Sequence, residues 1–278
     1  MLRRDVETIL ATHRLDPGRR EVYVEGLDEV LFLGVVAELP TGGGSQVLRI
    51  DNFKIPGVRE GGNRARVLSL ARQVEDAGAS IQGLVDADND WIIPADLPGN
   101  VWKTDGRDLE SYFLRRDCFT KLGVAAGLDG SASEELLEKV MSIGRELGAL
   151  RIVSVREGLE LPFQKTANVL RRSVQASRNT LDLDISRYVT TLLQNAGMNV
   201  REVPSVCVAV RDVLKELATA PGIVLVSGKD ALRIVDVALR ALRCRVTSRA
   251  LLGTFERSMV SDYEVLSDVV DYLRDVEE

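Results

Sequence analysis

Glu21-Val22-Tyr23-Val24-Glu25-Gly26-Leu27-Asp28 is the stretch on which the reading of the chain turns. A β-rich run ends in a carboxylate, and Gly26 then permits a sharp turn before the apolar, helix-length stretch Glu29 to Glu38. The same order recurs downstream. Gln46 to Ile50 reads as a strand, Gly61-Gly62-Asn63 breaks the chain before a helix from about Arg64 to Ala77, and Gly78 stops that helix. Ser80-Ile81-Gln82-Gly83-Leu84-Val85 is a short apolar strand that runs directly into Asp86-Ala87-Asp88-Asn89-Asp90. After a loop with Pro94, Pro98 and Gly99, Val101 to Thr104 forms a fourth strand and Asp108 to Leu114 a helix start. Strands alternating with helices predict an α/β fold, with a largely parallel sheet covered on both faces.

The flanking regions differ. Residues 1–20 read as a short helix closed by Asp16-Pro17-Gly18. Beyond about residue 115 helices dominate. Ser131-x-x-Glu134 has the form of a capping box opening a helix to about Leu147, with Gly148 at the C-cap, and Leu150 to Leu161 reads as partly extended. Ile185 to Asn195, Ser205 to Ala218, Ala231 to Arg243 and Asp262 to Val276 have helical patterning. The expected division is an N-terminal helix over 1–20, an α/β core over 21–115 and a mainly helical region over 116–278.

Composition narrows the function classes. The 278 residues include 36 Lys and Arg against 42 Asp and Glu, a formal charge of −6, which argues against coating nucleic acid by bulk electrostatics. Any such contact is local, and Lys229 to Arg257, with seven Lys or Arg, is a candidate basic face, although a solvated helix surface explains it as well. No apolar run is long enough to span a bilayer and the start does not read as a signal peptide, so a cytoplasmic location is expected. Cys118, Cys207 and Cys244 are far apart and odd in number, read as small buried apolar residues. The single histidine, His13, leaves no basis for a histidine triad or a histidine zinc cluster.

Three acidic clusters fall at or just beyond predicted strand ends, where parallel sheets bind ligands. They are Glu25 with Asp28 and Glu29, Asp86 with Asp88 and Asp90, and Asp105 and Asp108 with Glu110. In Asp86-x-Asp88 both carboxylates point to one side if the backbone stays extended, which suits a shared hard cation. Crowded carboxylates repel, and a metal is the cheapest resolution of that repulsion. Oxygen-only donors select Mg²⁺ or Mn²⁺ over zinc. Each cluster alone also reads as a helix N-terminus or an exposed loop. A calcium loop fails on detail, because Trp91 stands where Gly is needed and Leu97 where Glu is needed. Ser227-Gly228-Lys229-Asp230 is not a Walker motif, since Ile223 and Asp230 occupy its defining positions, and Thr41-Gly42-Gly43-Gly44 lacks the lysine.

Four short motifs in order, Val22-Tyr23-Val24-Glu25-Gly26 with Asp28-Glu29 and Phe32, Gly61-Gly62-Asn63-Arg64, Leu84-Val85-Asp86-Ala87-Asp88 with Asp90, and Thr104-Asp105-Gly106-Arg107-Asp108-Leu109-Glu110-Ser111-Tyr112, resemble the DUF4435 family. That family has a toprim-like core and includes the effector subunit of the PARIS anti-phage defence system. The resemblance implies that Glu25 follows the first toprim strand, that Asp86 and Asp88 form the acidic metal pair, and that Glu110 completes the pocket. It further implies a nuclease with tRNA favoured over DNA as substrate, held in trans by an ABC or SMC-like ATPase. Glu25, Asp86, Asp88 and Asp90 are the expected Mg²⁺ ligands, with Asp28 and Asp108 further candidates. Lys229 is a candidate for neutralising charge on the phosphate. Asp105-Gly106-Arg107 departs from related chains, which often carry a histidine there.

Two rival readings stand beside this one. Asp86-x-Asp88 can hold a metal-bound diphosphate in a nucleotide-sugar or phosphoryl transferase, and a toprim-like module can serve as a non-catalytic platform for an ATPase. The helical region after residue 115 is the expected docking surface, and a homo-oligomer is compatible with the sequence.

Overall fold

The computed structural model describes residues 4–39, 44–58, 62–75, 81–90, 93–163, 167–177 and 180–274. Thr41 to Gly43, Gly61 and Gly78, given turn or loop roles above, lie outside the described residues. In chain order the elements begin with β1 (Arg4–Asp5), α1 (Val6–Leu15), β2 (Arg20–Val24), α2 (Leu27–Val36) and β3 (Ser45–Arg49). There follow β4 (Phe53–Lys54), α3 (Gly62–Glu75), β5 (Ile81–Val85), β6 (Val101–Lys103), α4 (Arg116–Ala126), α5 (Gly130–Arg156) and α6 (Ala167–Ser173). The last are β7 (Val174–Ala176), β8 (Leu181–Leu183), α7 (Ile185–Asn195), α8 (Val203–Glu216), α9 (Gly222–Leu225), α10 (Gly228–Ala241) and α11 (Glu264–Arg274). No helix among the described residues is long and apolar enough to cross a membrane.

The chain divides into two compact units, one of Met1–Asp105 with Glu256–Glu278 and one of Gly106–Phe255. The sequence reading puts 256–278 with the helical region, whereas α11 packs against the strands of the first unit.

In the first unit the predicted strands form one parallel sheet in the order β3-β2-β5-β6. Alternation along the strands assigns the two faces. Tyr23, Ile81 and Val85 pack with Ile9 of α1 and with Val67, Leu70 and Val74 of α3. At Gly83 a Cβ would stand 2.8 Å from Val67 Cγ1, so α3 approaches closer there than any other residue permits. The opposite face is covered in part by α11, whose Leu266, Val269, Val270 and Leu273 are buried. Its Tyr272 stacks edge-on against Trp102 at 5.5 Å and takes the Arg20 guanidinium over its ring at 5.4 Å. Both faces are therefore covered, as the alternation of strands and helices requires.

Strand order also locates a crevice. From β2 the chain passes through α2 to β3 on one side, whereas from β5 it goes to β6 on the other. The adjacent strands β2 and β5 thus bracket a topological switch point at their carboxyl ends, where open α/β sheets bind ligands.

One polar network is buried in this unit. Glu21 accepts from Tyr23 Oη at 2.6 Å and Arg19 Nε at 2.5 Å, and His13 Nε2 lies 3.1 Å away. Burial raises the carboxyl's pKa, but the hydrogen bonds from His13, Tyr23 and Arg19 outweigh it and bring the group down to about 2. The single histidine is thus a core residue that anchors α1 to the start of β2.

The second unit is mainly helical and adds one antiparallel pair, β7 with β8, that the sequence reading did not anticipate. Helix α5 runs through the predicted stop at Gly148 and through most of the segment expected to be extended. The reason is packing. A Cβ at Gly148 would stand 2.3 Å from Leu225 O, and one at Gly144 2.4 Å from Val226 Cγ1, so these glycines mark a close crossing inside a helix. The N-cap is Asp129, which accepts from Ala132 N–H at 2.8 Å, two residues before the predicted Ser131. Cys118 is buried, but Cys207 and Cys244 are partly exposed, against the expectation for all three.

Candidate functional site

The residues predicted to carry chemistry fall into both units. In the first, Glu25 follows β2 and Asp86 follows β5, one on each side of the switch point. Glu25 Oε1 accepts from the Asp86 N–H at 3.2 Å, so the Glu25 carboxylate lies against the start of the acidic loop. The Asp86 side chain is buried, with 5% of the residue exposed.

The loop itself departs from the expected geometry. Asp88 has φ +46°, in the left-handed region, and begins a turn through Asp90. The backbone does not stay extended, so the alternation argument that placed the Asp86 and Asp88 carboxylates on one side does not apply. The Asp88 side chain is 59% exposed, while Asp90 is buried.

Arg64, in the first turn of α3, organises this loop. Its Nη1 donates to the Asp86 carbonyl, and its Nη2 lies 2.5 Å from Asp90 Oδ2 and thereby pairs with that carboxylate. Asp88 Oδ2 is 3.9 Å from Nη1. The neighbouring Asn63 donates from Nδ2 to the Glu25 carbonyl at 2.7 Å. On the far side, Thr104 Oγ1 accepts from the Ala87 N–H at 3.0 Å. Asn63, Arg64 and Thr104 belonged to the quoted motifs but carried no assigned role. Their signal was position, since a polar pair at a helix start beside the switch point faces the strand-end loops.

Two members of the third acidic cluster serve as helix caps. Asp105 caps α11, accepting from Val265 N–H at 2.9 Å and Leu266 N–H at 3.1 Å. Asp108 belongs to the second unit and caps twice. It accepts from Ser111 N–H at 3.1 Å in its own turn of 3₁₀ helix, and at the start of α10 from Gly228 N–H at 2.8 Å and Ser227 Oγ at 2.9 Å. Glu110 and Lys229 lie in the second unit too, with Lys229 Nζ 4.0 Å from Glu110 Oε2.

Ser227-Gly228-Lys229-Asp230 thus reads as a packing device. Its helix N-terminus is satisfied by the Asp108 carboxylate, and a Cβ on Gly228 would stand 2.3 Å from the Glu110 carbonyl carbon. Asp230 is buried between Arg151 at 2.5 Å and Arg233 at 2.8 Å. The basic segment Lys229 to Arg257 divides likewise. Arg257 belongs to the first unit and pairs with Glu38 at 2.6 Å, whereas Arg240, Arg243, Arg245 and Arg249 are exposed in the second.

The donor chemistry around the crevice suits a hard divalent cation, because Glu25, Asp86, Asp88 and Asp90 supply carboxylate oxygen alone. Their arrangement suits it in part. Glu25 and Asp86 adjoin, Asp88 and Asp90 are turned toward Arg64, and among the described residues no group of three or more carboxylate, histidine or cysteine side chains converges. The Arg64 guanidinium supplies an opposing charge to Asp90 and stands near Asp88, whereas it meets Asp86 only at the carbonyl. No protein-family model matches the chain, and no curated protein matches it in sequence.

Proposed function

We propose that the chain is a Mg²⁺-dependent, toprim-type nuclease acting at the crevice between β2 and β5. The observation that carries this reading is the placement of Glu25 and Asp86, in hydrogen-bond contact, at the ends of the two strands that flank the switch point. Glu25 and Asp86 would hold the ion, Mg²⁺ or Mn²⁺, joined by Asp88 and Asp90. When bound, the ion supplies Lewis-acid polarisation of a phosphodiester and lowers the pKa of an attacking water. Glu25, whose backbone carbonyl is held by Asn63, would serve as the base. Asp86 takes its orientation from the Arg64 contact to its carbonyl, and Thr104 fixes the following peptide. Glu110 and Lys229, which the resemblance adds to the site, form their own acid–base pair in the second unit.

Exposed Arg240, Arg243, Arg245 and Arg249 offer the local positive surface that a chain of net charge −6 needs to meet nucleic acid. The resemblance to the DUF4435 family favours tRNA as the substrate, an anti-phage role and an ABC or SMC-like ATPase partner. Glu25→Gln and Asp86→Asn should each abolish Mg²⁺-dependent cleavage of tRNA while leaving the circular dichroism spectrum unchanged. Cleavage at the parental rate by either variant removes the assignment, and turnover of nucleotide sugars in place of RNA or DNA selects the transferase. The pairing of Asp90 with Arg64 favours one further reading, a platform that needs no metal. A chain that neither binds Mn²⁺ nor cuts any nucleic acid selects it.

A further inference from the structure

Asn63 and Arg64 are consecutive residues in the first turn of α3, and between them they reach both strand-end loops of the site. Asn63 holds the Glu25 carbonyl at 2.7 Å, and Arg64 holds the Asp86 carbonyl and the Asp90 carboxylate. The same guanidinium stands 3.9 Å from Asp88 Oδ2. Its fork therefore spans the loop that contains three of the four candidate ligands. A guanidinium presents its positive charge through a planar fork of N–H donors. It is also largely withdrawn from solvent, with 19% of the side chain exposed, so screening by salt is weaker than at an open surface.

Resting on the metal-site reading above, we propose that Arg64 is the resident counter-ion and positioning residue of this site. It holds the Asp86 to Asp90 loop in one conformation and competes with a divalent cation for Asp90 and Asp88. Two consequences follow from the chemistry of the groups. Metal affinity is held down while Arg64 keeps its carboxylates, because the ion must displace the guanidinium from them and bind beside a charge of like sign. A phosphodiester offers the same fork an alternative anion in bidentate geometry, which releases the carboxylates to the ion. Metal and nucleic-acid binding are thereby coupled through one side chain, and by linkage each strengthens the other.

The test compares the full chain with Arg64→Gln and Arg64→Lys by calorimetric titration of Mn²⁺, with and without a DNA oligonucleotide carrying non-hydrolysable phosphorothioate linkages. Glutamine keeps a donor for the Asp86 carbonyl and removes the charge; lysine keeps the charge and removes the fork. The expected result is an Mn²⁺ affinity at least tenfold tighter in Arg64→Gln than in the parent, with affinity near the parental value in Arg64→Lys. The oligonucleotide should tighten Mn²⁺ binding in the parent and leave Arg64→Gln unaffected. Circular dichroism of each variant identifies a folding failure, and Arg64→Lys then carries the comparison through its lost coupling to the oligonucleotide. If the parent binds Mn²⁺ and folded Arg64→Gln binds it no more tightly, the role of Arg64 is refuted while the metal site stands. If neither chain binds Mn²⁺, the metal site itself fails and the competition with it. Binding by Arg64→Gln alone supports the competition in its strongest form.

Discussion

Ending the chain at Tyr263, so that α11 is lost, tests the assignment of the C-terminal segment to the sheet. Leu266, Val269, Val270 and Leu273 project from α11 into the core, and none is more than 3% exposed. Complete burial of such a side chain contributes roughly 1.5–3 kcal/mol, so the four together contribute about 6–12 kcal/mol. The N-terminal cap from Asp105 adds about 1 kcal/mol. At the C-terminal end, Arg274 Nε donates to the Ala37 carbonyl at 3.1 Å, a bond lost with the helix. A domain is stabilised by about 5–15 kcal/mol in total, so the truncation removes most of what holds the first unit folded. The tail is thus part of the scaffold that positions Glu25 and Asp86, whereas the sequence reading places it in the helical region expected to dock a partner. The assay is thermal unfolding by circular dichroism, with amide exchange measured in Val22 to Val24. Loss of protection in that strand is the expected result. A truncated chain that melts cooperatively within about 4 °C of the parent, the shift that about 1 kcal/mol produces, refutes the packing argument.

Acid should expose the Glu21 network. Its carboxyl is lowered from an ordinary 4.5 to about 2, so its contribution of about 3 kcal/mol is complete above pH 4.5 and is lost as pH falls toward 2. Urea midpoints measured at pH 6 and pH 3 should separate, and Glu21→Gln should remove much of the difference; a parental midpoint that does not move contradicts the network. Gly228→Ala forces a Cβ to within 2.3 Å of backbone at Glu110, and a loss of about 1–3 kcal/mol is expected in denaturant unfolding. An unchanged midpoint there argues against the close approach of α10 to the Glu110 turn. Mg²⁺ or Mn²⁺ should raise the melting temperature of the parent and not of a Glu25→Gln, Asp86→Asn double variant, because a ligand of the folded state alone stabilises it by mass action. A rise with zinc only would contradict an all-oxygen donor set.

The four strands of the sheet and the helices that follow them were legible because their signals are local. Val22 to Val24 and Ile81 to Val85 are apolar runs closed by an acid, and glycine or proline marks the breaks between elements. The placement of Glu25 and Asp86 at strand ends followed from that same grammar. The short pairs β1 with β4 and β7 with β8 display no period, and they were missed. The fate of each further acid depended on partners that no spacing reveals. Asp105 meets the start of α11 from 160 residues away and Asp108 meets α10 from 120, so two members of an apparent catalytic cluster serve as caps. Gly148 resembled a helix stop because a C-cap and a close helix crossing both call for the residue without a side chain, and only the presence of Leu225 against it separates the two. Arg64 is the sharpest case. In sequence it is one charged residue at a helix start, and its hold on Asp86 and Asp90 exists only because the β2-to-β5 topology brings the start of α3 beside the acidic loop. Local pattern determined the elements and two of the acids at the crevice, while tertiary packing decided which charge faces them.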